Sequence, residues 1–205
     1  MSKWSSVRFS LLSIALAVLA ACNQHGGQGD DADAARAGNS GVITRPDTSV
    51  DAVASAEPGK DRHQWEASDV NTRGKTGNLT ASVEGRGGPL MLAFATGITE
   101  EGVRDVRLTA SDSIGNGGAS FASILRSNPD ASVFLYRVDN EDLAPVVRDG
   151  GLCGPERTTY LAVSEYVSSK GEWVFRIAAF KGQVRPGPGA QGAPALCGAY
   201  YYGTP

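Results

Sequence analysis

Apolar and polar positions alternate most clearly near the C-terminal end of the chain. Residues 173–180 read WVFRIAAF, which places Trp173, Phe175, Ile177 and Ala179 on one face and Val174, Arg176, Ala178 and Phe180 on the other. Residues 159–166 read TYLAVSEY, with Leu161 and Val163 opposite Tyr160, Ala162, Ser164 and Tyr166. The short polar link between these runs carries Gly171, where a turn requires positive φ, so the pair predicts a hairpin. Further strands are predicted over 79–84, 90–96, 103–110, 132–138 and 199–202, punctuated by Gly, Pro, Asn and Asp. One short helix is predicted over 120–127, where Phe121, Ile124 and Leu125 recur at helical spacing between a serine cap and the stop signal Asn128-Pro129. The pattern predicts a mainly β domain, a small antiparallel β-sandwich or barrel-like sheet with one short helix.

The N-terminal part has a different pattern. After Lys3 and Arg8, residues 9–19 form an uncharged, mostly apolar run of 11 residues. A helix crossing the hydrocarbon of a bilayer needs about 20, so the run reads as the core of an export signal. Residues 23–62 contain no aromatic side chain and set seven acids against four bases. Such a segment buries too little apolar surface to offset its ordering entropy, and it predicts a flexible tether with a solvated His25. The expected organisation is a signal peptide over 1–21, a linker over 22–63 and a β-rich domain over 64–205.

At the junction of the first two parts, Leu19-Ala20-Ala21-Cys22 resembles the lipobox of bacterial lipoproteins in all four positions. Small residues let a peptidase reach the backbone, and the cysteine sulfur is the nucleophile that lipid attachment requires. The resemblance implies cleavage between Ala21 and Cys22, with Cys22 lipidated and its new amine acylated. Two or more fatty chains such as palmitate make a stable membrane anchor, whereas one gives reversible attachment. Asn23 follows the lipid-bearing position where inner-membrane lipoproteins typically carry Asp, which implies sorting to the outer membrane, facing the periplasm. An ordinary secretory cut after Ala20 would instead leave Cys22 as an odd thiol.

Cysteine count and charge narrow the picture. Cys153 and Cys197 are the two cysteines beyond position 22, and in an oxidising compartment they are expected to form a disulfide. Net charge is −3 with an isoelectric point near 5.4, which argues against a nucleic-acid partner. Of the two histidines, only His63 lies near the folded part, so triads and multi-histidine metal sites are not expected.

Candidate chemistry elsewhere is thin. Ser113, between Asp112 and Gly115, lacks a nucleophile elbow and reads as a turn serine. The glycine-rich stretch 115–120 could cradle an anion but lacks the lysine and spacing of a P-loop. Residues 139–142 (DNED) offer oxygens for Ca²⁺ without the EF-hand order and read as a solvated acidic turn. Glu100 and Glu101 are adjacent and would point apart in a strand, so no acid and base pair can be selected. Trp65, Trp173, Tyr160 and Tyr166 are the candidate binding surface, set against the commoner placement of aromatics in a core. The expected function is that of a lipid-anchored envelope protein, without cofactor or metal, whose disulfide-tied domain binds another envelope protein or a glycan and does not itself catalyse. The alternatives are a carboxylate-based envelope hydrolase and a passive assembly or spacer protein.

Overall fold

The structure is a computed structural model and describes residues 53–85 and 88–205. The chain runs β1 (Ser55–Ala56), β2 (Gln64–Ala67), α1 (Val70–Lys75), β3 (Leu79–Val83), β4 (Leu90–Phe94), β5 (Ile98–Thr109), α2 (Phe121–Leu125), β6 (Ser132–Leu143), β7 (Tyr160–Val167), β8 (Trp173–Lys181) and β9 (Ala195–Gly203). All pairings are antiparallel. Strands follow the order β7-β6-β5-β4-β3-β2-β9-β8, and β8 pairs back onto β7, which closes an eight-stranded barrel. The barrel alternative of the expected architecture is therefore the observed one. Closure leaves β2 to β9 without a free sheet edge along their paired lengths.

Alternation along each strand fills the barrel interior. Trp65, Leu79, Leu92, Ile98, Phe175 and Tyr202 are all buried there, with the Trp65 and Phe175 rings 5.2 Å apart. An eight-stranded barrel is narrow enough for its own side chains to fill it, and the bulky rings do so here. A second apolar cluster lies on the outer side of β6, β7 and β8, where Val133, Leu135, Ala162 and Phe180 pack beneath Phe121 and Leu125 of α2. This explains why both faces of WVFRIAAF are apolar apart from Arg176: one lines the barrel and the other is covered by the helix and its flanking loops.

β2 and α1 depart from the sequence expectations, and so does the end of the tether. α1 was not predicted, because VNTRGK shows no apolar periodicity; it is started by Asp69, which accepts from the Asn71 and Thr72 N–H groups at 2.9 Å. Those bonds hold the Asp69 carboxyl below its ordinary range against the opposing effect of burial. The predicted tether also ends earlier than position 63. Its part up to residue 52 lies outside the described residues, as do the signal segment, Ala21 and Cys22. Residues 53–63, in contrast, form a strap across one mouth of the barrel.

That strap is held by charge, which an apolar pattern does not reveal. Ser55 and Ala56 pair with Tyr166 and Glu165 of β7. Glu57 is ion-paired with Arg104 of β5, and the Gly59 N–H donates to Glu165 Oε2 at 3.0 Å. Arg62 bonds Glu165 Oε1 at 3.1 Å and lies 3.6 Å from the centroid of the Trp173 ring. Burial raises the Glu165 carboxyl pKa, and the Gly59 and Arg62 bonds oppose that rise. Arg62→Ala would strand this fully buried carboxylate and uncover Trp173. We expect a loss of about 2–3 kcal/mol in urea unfolding, with exposed Lys60→Ala as a near-silent control.

Candidate functional site

Two polar constellations stand out, one at a barrel end and one on the outer wall. The first is a carboxyl pair. On β6, Val138 pairs with Gly102, yet Glu141 rather than Asn140 or Asp142 stands opposite Glu100. The reason is a bulge: Asp139 is unpaired where the register slips between Glu101 and Gly102, so positions 138 and 141 face the same way. The segment 139–142 is accordingly strand and not the expected acidic turn.

Glu141 accepts from the Thr158 N–H at 3.2 Å and from the Thr158 hydroxyl at 2.9 Å. Glu100 is fully buried, and neither of its carboxyl oxygens has a hydrogen-bond partner. Burial first, and the neighbouring Glu141 charge second, push the Glu100 pKa up to about 9. Glu100 is therefore the protonated partner at neutral pH. Tyr200, whose hydroxyl donates to the Leu152 carbonyl at 2.8 Å, is raised to about 12 by burial and by Glu100.

The loop around Leu152 and Cys153 is tied to β9 by the Cys153–Cys197 disulfide, which is present with a Cα separation of 4.9 Å. Gly151 permits the close approach of this loop, since a Cβ there would meet Glu141 Oε1 at 1.9 Å. Glycoside hydrolysis by two carboxylates requires room for a sugar between them. Glu100 and Glu141 instead interact directly, with Glu100 sealed from solvent, so this pair is part of the packing of the barrel end.

The second constellation is a groove of about 810 Å³ on the outer wall, between the end of α2, the β7–β8 turn and the first described residues of the strap. Its polar lining includes Arg126, Ser127, Asn128, Tyr166, Ser168 and Arg176, with no carboxylate among the lining residues. Tyr201 supports both arginines: it is the cross-strand partner of Arg176 and donates its hydroxyl to the Ile124 carbonyl at 2.8 Å. The guanidinium carbons of Arg126 and Arg176 lie 4.6 and 5.4 Å from its ring centroid. Arg176 also donates to the Phe175 and Tyr202 carbonyls, while its buried Nε has no acceptor. Burial lowers the Arg176 pKa, against the opposing effect of neighbouring Tyr166. The buried Ser127 hydroxyl is likewise unpartnered.

The aromatic residues singled out from sequence do not make one surface. Trp65 is 1% exposed inside the barrel, Trp173 is half-buried at the mouth beneath Arg62, and Tyr160 sits at the opposite end of β7 from Tyr166. Tyr166 is buried under α2 and donates to the Arg126 carbonyl at 3.1 Å, so it supports the groove from below. Alternation predicts a face for each ring but not which face meets water; barrel closure and the α2 layer bury both. Arg176 was legible as a charge within the otherwise apolar row Val174, Ala178 and Phe180, whereas Arg126 carried no pattern at all.

The other candidates have structural roles. Ser113 bonds the Gly115 carbonyl, and Ser120 caps the five-residue α2 by accepting from the Ser123 N–H. His63 Nδ1 lies 3.1 Å from the Ala81 carbonyl. Among the described residues, no group of three or more His, Cys, Asp or Glu side chains gathers as a metal site. Comparison with known proteins finds no family model, no curated protein and no solved structure that matches this chain.

Proposed function

We propose that this chain is a lipid-anchored cell-envelope protein whose disulfide-tied β barrel binds another envelope component and carries out no catalysis of its own. The observation that supports binding at the outer wall is the groove beside Tyr201, because a barrel interior occupied by Trp65, Phe175 and Tyr202 leaves recognition to the exterior. The covering of Glu100 speaks against the hydrolase reading, since a general acid must reach its substrate. Anchoring rests on Leu19-Ala20-Ala21-Cys22, and Asn23 favours the outer membrane as the destination.

Two measurements test this reading. Cys22→Ser should abolish incorporation of labelled palmitate and leave no lipid mass on the N-terminal peptide; label retained at full level would refute the anchor. The lipidated protein, used to capture partners from envelope extracts, should retain one component saturably. A version with Cys153 and Cys197 replaced should retain less. Turnover of a cell-wall substrate without such retention would refute the binding reading.

A further inference from the structure

We propose that the groove beside Tyr201 binds a phosphate group, free or on an anionic lipid headgroup; this rests on the reading of the barrel as a binding module and names the ligand chemistry of its outer wall. The first support is the balance of donors and acceptors. Two arginines, three serines and an asparagine face the recess without a carboxylate among the lining residues, and neither arginine is ion-paired among the described residues. Asp69 is the carboxylate whose charge acts on both arginines, but its oxygens are taken by the Asn71 and Thr72 N–H groups and the Thr72 hydroxyl. Asp69 therefore offsets part of the positive charge without pairing with either guanidinium, and a net positive charge remains at the recess.

The second support is that donors are buried without acceptors. Arg176 Nε and Ser127 Oγ are both shielded from solvent and unpartnered at the same recess. Leaving such groups unpaired is costly in a folded protein, and an acceptor-rich ligand entering the recess would satisfy them once these side chains turn towards it. The third support is backbone strain. Arg126 ends α2 at φ 50° and ψ 46°, and it is the one non-glycine residue with positive φ among those described. Glycine suits that left-handed position, where a side chain is disfavoured. Arginine there spends conformational stability while holding a guanidinium over Tyr201 at the rim of the groove.

Phosphate fits these donors better than a carboxylate does. Its oxygens point in several directions and can accept from two guanidinium groups and a hydroxyl at once, whereas a carboxylate accepts in one plane. Both guanidinium groups lie near the Tyr201 ring and both residues line the same recess, which places two cationic donors around it. Val53 and Ala54, on the chain path that leads back to Cys22, form part of the same rim. A headgroup of the membrane that holds the anchor is thus one natural source of the phosphate.

The test uses the lipidated protein in neutral detergent micelles, titrated with inorganic phosphate, or with phosphatidylglycerol or phosphatidylcholine added to the micelles. The readout is the NMR signal of the Arg176 Nε–H and the Ser127 amide. Saturable shifts that weaken with salt are expected for at least one phosphate probe. Arg126→Gly should weaken binding about tenfold or more, as loss of a charge-assisted contact does, while the melting temperature stays level or rises. Shifts with inorganic phosphate identify the free ion as sufficient; shifts with phosphatidylglycerol alone identify the headgroup. No shift with any probe, or equal shifts in Arg126→Gly, would overturn the proposal. Capture of an envelope component that survives Arg126→Gly would overturn the groove while leaving the binding module intact.

Discussion

Replacing Cys153 and Cys197 together by alanine is expected to lower the unfolding free energy by about 4 kcal/mol, from the chain-entropy cost of closing a loop of this size. The bridge spans 44 residues and encloses β7 and β8, two adjacent walls of the barrel, together with the glycine-rich segment before β9. Without it, the unfolded chain regains the freedom of that loop, and the native chain loses the tie between the Leu152 loop and β9. Against a typical net stability of about 5–15 kcal/mol, the loss is large enough to leave a measurable unfolded population near physiological temperature. Urea unfolding with and without reductant measures it. Reductant should move the midpoint of the native protein to that of the double variant and should not move the variant further; coincident midpoints throughout would contradict the expectation.

The second large effect lies in pH dependence. Glu100 is held protonated in the fold, with a pKa of about 9 against 4.5 in an unfolded chain. A carboxyl whose folded pKa is raised contributes stability that is fully present below about pH 4.5 and is lost progressively as pH rises towards 9, because the unfolded state releases its proton first. Glu100→Gln removes that titration, and its amide can still donate to the Glu141 carboxylate. The variant should exceed the native protein by on the order of 3 kcal/mol at pH 7, with the difference growing towards pH 9 and vanishing near pH 4.5. Tyr200 ionises at about 12, outside this window, and the raised Glu165 is common to both proteins, so their difference isolates Glu100. Urea unfolding at pH 5, 7 and 9 is the measurement. Parallel stability curves would show that Glu100 ionises freely in the folded state. Glu101→Gln, at the half-buried neighbouring position, is the control for removing a carboxylate from the same strand.

Much of the sheet was readable in advance because strand periodicity is a local property. The predicted segments 79–84, 90–96, 132–138, 159–166 and 173–180 all lie on or within a residue or two of observed strands, and Ser120 caps a helix at the predicted place. Strands were missed or cut short where charge interrupts the pattern. Residues 99–102 (TEEG) and 139–142 (DNED) carry no large apolar side chain, yet they belong to the two 12-residue strands β5 and β6, held by the ladder that joins them. The strap residues 55–63 were assigned to a tether because their stabilisation comes from Arg62 meeting Glu165 and Glu57 meeting Arg104, partners that are distant in the chain. The candidate site was least legible. An unpaired Asp139 turns Glu141 towards Glu100, and the α2 layer brings Arg126 beside Arg176; neither event leaves a mark in the order of residues.

By itself, the chain of amino acids determined the elements and their covalent chemistry. Alternation set which residues of each strand share a face, glycine and proline set where strands stop, and two cysteines in the folded part made one pairing available. Only the tertiary structure decided that the sheet closes, that aromatic residues fill its interior, and that charges gather at a barrel end and on the outer wall. The physical reason is that side-chain period and turn chemistry act over a few residues, whereas burial, pKa and unmet hydrogen bonds depend on neighbours supplied by other strands.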